Sequence, residues 1–97
     1  MSDERFVIVA YDISDPRRWR RVFKTMNGYG EWLQLSVFQC RLSSRRRVEL
    51  EARLRTEIKP GEDHVLLIDV GPADRVSTAI ESLGKSFAAI ERRAVVI

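Results

Sequence analysis

Asp12 ends an apolar run, RFVIVAYD over residues 5–12, and stands directly before a segment crowded with cations: Arg17, Arg18, Arg20, Arg21 and Lys24. Folding does not require a carboxylate at that point, and a carboxylate beside bound phosphate is a ligand for a hard cation. Magnesium is usually held by one or two carboxylates, with waters and substrate phosphate oxygens completing its shell. A two-fold dimer bringing two copies of Asp12 near its axis would supply such a site. The ion would then polarise a phosphodiester and activate water for in-line hydrolysis. In the structural alternative, Asp12 is a strand-end carboxylate hydrogen-bonded to the turn over 13–16, and the residues alone leave both readings open. Asp15, one residue before Pro16, is better explained as a helix cap. His64 is the only histidine and Cys40 the only cysteine. Without a second His or Cys at metal-ligand spacing, His64 reads as a surface residue with no catalytic role. Cys40 reads as a small strand hydrophobe, because no His/Asp constellation accompanies it.

The cations suggest a partner. Residues 16–47 hold nine cations against the single anion Glu31, while the rest of the chain carries a net charge of −5. Fourteen of the seventeen cations are arginine, whose planar fork suits bidentate phosphate contact. A polyanion is therefore expected, nucleic acid first. Arg17, Arg18, Arg20, Arg21 and Lys24 would follow one phosphate track, and Arg45, Arg46 and Arg47 a second. Such a charge run is more often a solvated face, but five cations in one helix without an anion lack the i, i+4 pairing of ordinary surface helices. With no exposed aromatic row to stack bases, the contacts should be to phosphate and insensitive to sequence.

The elements that must position these residues follow from periodicity. Residues 5–12 predict a buried strand. Asp15 and Pro16 open a helix in which Trp19, Val22, Phe23 and Met26 share one face, and Asn27-Gly28 closes it. Residues 32–42 (WLQLSVFQCRL) alternate Leu33, Leu35 and Val37 against Gln34, Ser36 and Phe38, as a strand does. Ser43 or Ser44 caps a second helix with Leu50, Leu54 and Ile58 on one stripe and Glu49–Arg53 and Glu51–Arg55 pairs, ended by Pro60-Gly61. Residues 64–70 form a further strand. Asp74 caps a third helix with Val76, Ala79, Ile80 and Leu83 inside, closed by Gly84. Residues 87–90 suggest another strand, and residues 85–97 a C-terminal strand region that a partner subunit could exchange.

The plan is β-α-β-β-α-β, an α+β ferredoxin-like sandwich with both helices on one face of an antiparallel sheet. The first strand is apolar on both sides, with Phe6, Ile8 and Ala10 facing away from Val7, Val9 and Tyr11. Its second face therefore predicts a face-to-face homodimer.

Ninety-seven residues make one domain, spanning 1–97, and leave no room for a second core. No apolar stretch approaches the ~20 residues that cross a bilayer, and no leader opens the chain, so no membrane partner is expected. A lone cysteine excludes an internal disulfide and a cysteine metal cluster, and favours a reducing, cytoplasmic compartment.

The segments VIVAYDISDPRRWRRVFKTMNGYG, QLSVFQC and EDHVLLIDVG together resemble the CRISPR-associated protein two (Cas-two) family over nearly the whole chain. Most telling are the YDI ending the first strand, the glycine before the second, and Gln34, Ser36, Val37 and Phe38. The resemblance implies a dimeric ferredoxin-like protein of antiviral defence that bridges dimers of the CRISPR integrase during spacer DNA integration. It also implies a metal-dependent nuclease on single-stranded RNA or duplex DNA, with Mg2+ on Asp12. The family's basic positions match Arg17 and Arg18 best, and Phe38 would be structural, near the dimer axis. Many relatives have Glu where this chain has Gln39, and the segment GPADRVSTAIESLG is less typical.

Three functions follow for comparison. One is an architectural DNA-binding subunit, and another a magnesium-dependent endonuclease or endoribonuclease using paired Asp12. The third, a ligand-sensing regulatory domain, is disfavoured by the Arg-rich helix and the lack of an anion-binding loop.

Overall fold

In the computed structural model, which describes residues 3–76 and 80–84, β1 (Arg5–Asp12) forms where the β-branched run predicts it. Asp15 is extended, and its carboxylate accepts from Arg18 N at 2.9 Å, so α1 (Pro16–Asn27) starts with Pro16 in its first turn.

The single strand expected over 32–42 is two strands, β2 (Gly30–Gln34) and β3 (Val37–Leu42), joined by a turn at Leu35 and Ser36. No Gly, Asn or Pro marks this turn, and Leu35 takes a left-handed φ of 40°, uncommon for such a side chain. Anchors hold it there: Trp32 Nε1 donates to the Leu35 carbonyl at 3.0 Å, and Tyr11 N to the Ser36 carbonyl at 3.0 Å. Trp19 Nε1 donates to Ser36 Oγ at 2.8 Å. The reversal resets the alternation, so that Phe38, Cys40 and Leu42 enter the core while Leu35 is 77% exposed.

Ser43 caps α2 (Ser44–Glu57), accepting from Arg46 N, and Leu50 and Leu54 are buried on its inner stripe. β4 (His64–Pro72) follows. The sheet order is β2-β3-β1-β4 with every pairing antiparallel. This is the ferredoxin-like plan, both helices lying on one face. Val7, Val9 and Tyr11 of β1 meet Phe38, Cys40 and Leu42 of β3 beneath Val22 and Met26 of α1 and Leu50 and Leu54 of α2. Burial pushes the Cys40 thiol up to about 12, with Glu31 adding to the effect, as suits an inert core residue.

Gly30 has a steric reason. A Cβ there would collide with Cys40 Sγ and the Gln39 carbonyl, so β2 lies against β3 only because the position has no side chain. On the sheet face away from the helices, Ile8 and Ala10 stand opposite Ile68 and Leu66. Leu66 and Ile68 are about half exposed, which is the second apolar face expected from the sequence.

The predicted third helix is shorter than its stripe. α3 (Ala73–Val76) is a single turn, with Asp74 inside it rather than capping it, and 80–84 are not helical. Leu83 is 87% exposed, so the expected inner stripe does not run buried to its far end. The strand expected over 87–90, and the C-terminal strand region 85–97 as a whole, lie outside the described residues.

Candidate functional site

The end of β1 carries two aspartates of opposite circumstance within reach of one loop. Alternation along the strand puts Asp12 on the open face with Ile8 and Ala10, where it is exposed and directly opposite His64 of β4. No described residue gives the Asp12 carboxylate a hydrogen bond or ion pair, so its reading as a carboxylate tied to the turn over 13–16 is overturned. The donors of that turn are spent elsewhere. Asp15 takes Arg18 N, and Ser14 donates both its N at 3.1 Å and its Oγ at 3.3 Å to Asp63 Oδ1.

Asp63 is the locked counterpart. Its side chain is fully buried and accepts Arg18 Nε at 2.7 Å. Arg18 Nη2 reaches its other oxygen at 3.2 Å, and Lys59 N donates at 2.8 Å. The Arg18 guanidinium, first among these donors, holds the Asp63 carboxyl far below the usual carboxylate range against the opposing effect of desolvation. The loop leaving β1 is thereby clamped to the loop entering β4, which fixes the ends where Asp12 and His64 stand. No local signal marks this role, because Asp63 looks like any acid in a polar loop and its partner Arg18 is 45 residues away.

The cations divide along the same line. In α1, Arg17, Arg20, Arg21 and Lys24 are all exposed and, at 3.6 residues per turn, fall within an arc of about 100°. None of the four side chains makes a hydrogen bond or ion pair among the described residues, although the Arg17 backbone N–H and charge both act on the capping Asp15 carboxylate. Arg18 sits apart, half-buried against Asp63 and Glu62. In α2, Arg47 pairs with Glu51 at 2.8 Å and approaches Asp69 at 3.9 Å. Arg45 and Arg46 lie 3.7 and 3.8 Å from Glu49, and Arg46 also stacks on the Tyr29 ring and donates to the Gly28 carbonyl. The predicted Glu51–Arg55 pair forms at 3.4 Å, while Glu49 turns back to Arg45 and Arg46. Sequence reasoning also missed Ser36, which joins β1, α1 and the hairpin turn at one residue.

Among the described residues no three His, Cys, Asp or Glu side chains gather as a metal cluster. What the end of β1 offers, among the described residues, is the Asp12 carboxylate with the His64 imidazole across the ladder. That set fits a Mg2+ ion only in its most open form, with one carboxylate and the remaining positions taken by water and phosphate oxygens. No helix among the described residues is long and apolar enough to cross a membrane.

The fold and site together define a small ferredoxin-like α+β domain with a one-sided cationic helix and a strand-end carboxylate. The family described as CRISPR associated protein Cas2 matches residues 5–77, and the chain belongs to it. It is 56% identical over 94 residues to the CRISPR-associated endoribonuclease Cas2 1 of Rhodospirillum rubrum, covering 97% of this chain and 92% of that protein. With the CRISPR-associated endoribonuclease Cas2 of Geobacter sulfurreducens the identity is 52%, covering 97% and 99%. The crystal structure of Streptococcus pyogenes Cas2 superposes with a TM-score of 0.72 at 30% identity, covering 81% of this chain and 99% of that one.

Proposed function

We propose that this chain is the nucleic-acid-binding subunit of a CRISPR spacer-acquisition complex, acting as a homodimer that holds a duplex and bridges integrase dimers. The observation that carries the reading is the α1 stripe: Arg17, Arg20, Arg21 and Lys24 project together from a helix that holds no carboxylate, and of the four only Arg17 acts on one, the capping Asp15. Four cations at helical spacing can follow phosphates, while Arg18 stiffens the start of the helix through Asp63. Arg45, Arg46 and Arg47 add a weaker second track, because their charges are shared with Glu49, Glu51 and Asp69. Half-exposed Leu66 and Ile68 favour burial of the open face against a second copy. The cytoplasm, where CRISPR DNA and RNA are found, is the matching compartment.

We further propose that Asp12 holds Mg2+ for phosphodiester hydrolysis, the activity named in the two relatives above. Bound there, the ion would supply Lewis-acid polarisation of the phosphodiester and a nucleophilic water. Asp12 contributes a carboxylate that no described neighbour competes for, and the clamped loops keep it at the strand end. The α1 stripe orients the backbone.

The two parts separate experimentally. Neutralising Arg17, Arg20, Arg21 and Lys24 together should reduce the slope of log affinity against log salt by about 3–4; an unchanged slope rejects the stripe. Asp12→Ala should bind DNA and RNA as the wild type does and lose magnesium-dependent cleavage. Equal cutting by that variant rejects Asp12 as the metal holder, and no cutting by the wild type leaves a purely architectural subunit.

A further inference from the structure

Asp12 and His64 are partners in the β1–β4 register, and directly opposed residues of an antiparallel pair point to the same side with Cβ atoms about 4.5–5.5 Å apart. A carboxylate oxygen and an imidazole nitrogen starting from that separation can converge on one ion at the ~2.0–2.2 Å that such ligands require. Both side chains are exposed, and neither has a hydrogen bond or ion pair with a described residue, so their rotamers are free to turn inward. Their backbones are not free. Buried Asp63 binds Ser14 N on the loop after Asp12 and Lys59 N on the loop before His64, so the opposed positions are held before any ligand arrives.

Resting on the reading of Asp12 as a metal holder, we propose that His64 is the second protein ligand of that site. The site then binds a divalent ion that accepts nitrogen, Zn2+ or Mn2+, more tightly than the Mg2+ that Asp12 also holds. Imidazole suits zinc and other transition ions, whereas magnesium keeps oxygen ligands and gives up water reluctantly. Two protein ligands leave the remaining positions open to water and phosphate oxygens, as a site acting on a phosphodiester requires.

His64 is the only histidine in the chain, so a single imidazole signal in a heteronuclear spectrum of the intact protein reports on it. The titrants are Zn2+ and Mg2+, at a pH where a free imidazole is neutral, with the Asp12 carboxylate followed by carbon labelling. Expected is a saturable Zn2+ shift of both His64 and Asp12 at least tenfold below the concentration at which Mg2+ moves Asp12. The Zn2+ affinity should fall at least tenfold in Asp12→Ala, and His64→Gln should lose the zinc preference while keeping its response to Mg2+. Both positions are exposed, so neither variant threatens the core. An Asp12 signal that responds to Mg2+ while Zn2+ leaves His64 unmoved overturns the inference and keeps the Asp12 reading. A His64 shift that survives Asp12→Ala unchanged marks a lone surface imidazole and also overturns it. If neither ion moves Asp12, both readings fall.

Discussion

The two helices are both rich in arginine and use it in opposite ways. In α1, four of five cations project with no carboxylate on their helix to answer them, and only Arg18 is consumed, by Asp63. In α2, Glu49 and Glu51 lie one turn from Arg45, Arg46, Arg47 and Arg55 and draw on all four. Charge density in the sequence is therefore a poor guide to charge on offer. A guanidinium already paired with a carboxylate must give up that pairing, or share it, before it can take a phosphate, whereas an unpaired one gives up only water.

The largest effect should come from breaking Arg18's lock. Asp63→Asn leaves a guanidinium short of its buried anion, and the melting temperature should fall by roughly 10 °C or more in calorimetry. The same substitution tests the pH dependence. Asp63 is held below its ordinary value by Arg18, so in acid the unfolded state binds the proton first. The stabilisation is complete above the unfolded value of 3.8 and is lost as pH falls below it towards the folded value. Wild-type stability should therefore drop steeply on acidification below about pH 4, and Asp63→Asn should flatten that drop, as read by acid titration of circular dichroism.

A smaller effect separates the helices. Neutralising Arg45, Arg46 and Arg47 together should lower the salt slope of DNA binding by about 1, well short of the value for the α1 stripe. A loss equal to that of the stripe would erase the contrast between the helices. The smallest effect sharpens it: Glu49→Gln with Glu51→Gln frees the α2 arginines and should strengthen binding about three- to tenfold at low salt, with little change at high salt where exposed charges are screened.

Several of these features were legible in the sequence because their causes are local. The β1 run, the Asp15–Pro16 cap and the inner faces of α1 and α2 all follow from residue type and period, and the ferredoxin-like plan holds even though period alone merges β2 and β3 into one strand. Gly30 was legible as a motif position, though its reason, the crowding by Cys40 and Gln39, was not. The hairpin turn at Leu35 and Ser36 was missed because tertiary hydrogen bonds from Trp19, Trp32 and Tyr11 hold it, in place of turn-forming residues. The third helix was overextended at its far end, where 80–84 are not helical and Leu83 is exposed.

Asp12, Asp15 and Asp63 show where the division falls. All three are acids near polar loops, and composition ranks them alike. Cap chemistry distinguishes Asp15, since Pro16 follows it in the chain. Only the pairing of β1 with β4 sets Asp63 beside Arg18 and Asp12 beside His64, because those contacts span 45 and 52 residues of chain and exist only once the sheet has closed. The sequence by itself determined β1, α1, α2 and β4, whose signals lie between neighbours a few residues apart, and the net excess of cations. The tertiary structure decided which charges remain available, because availability depends on what each side chain meets across the fold.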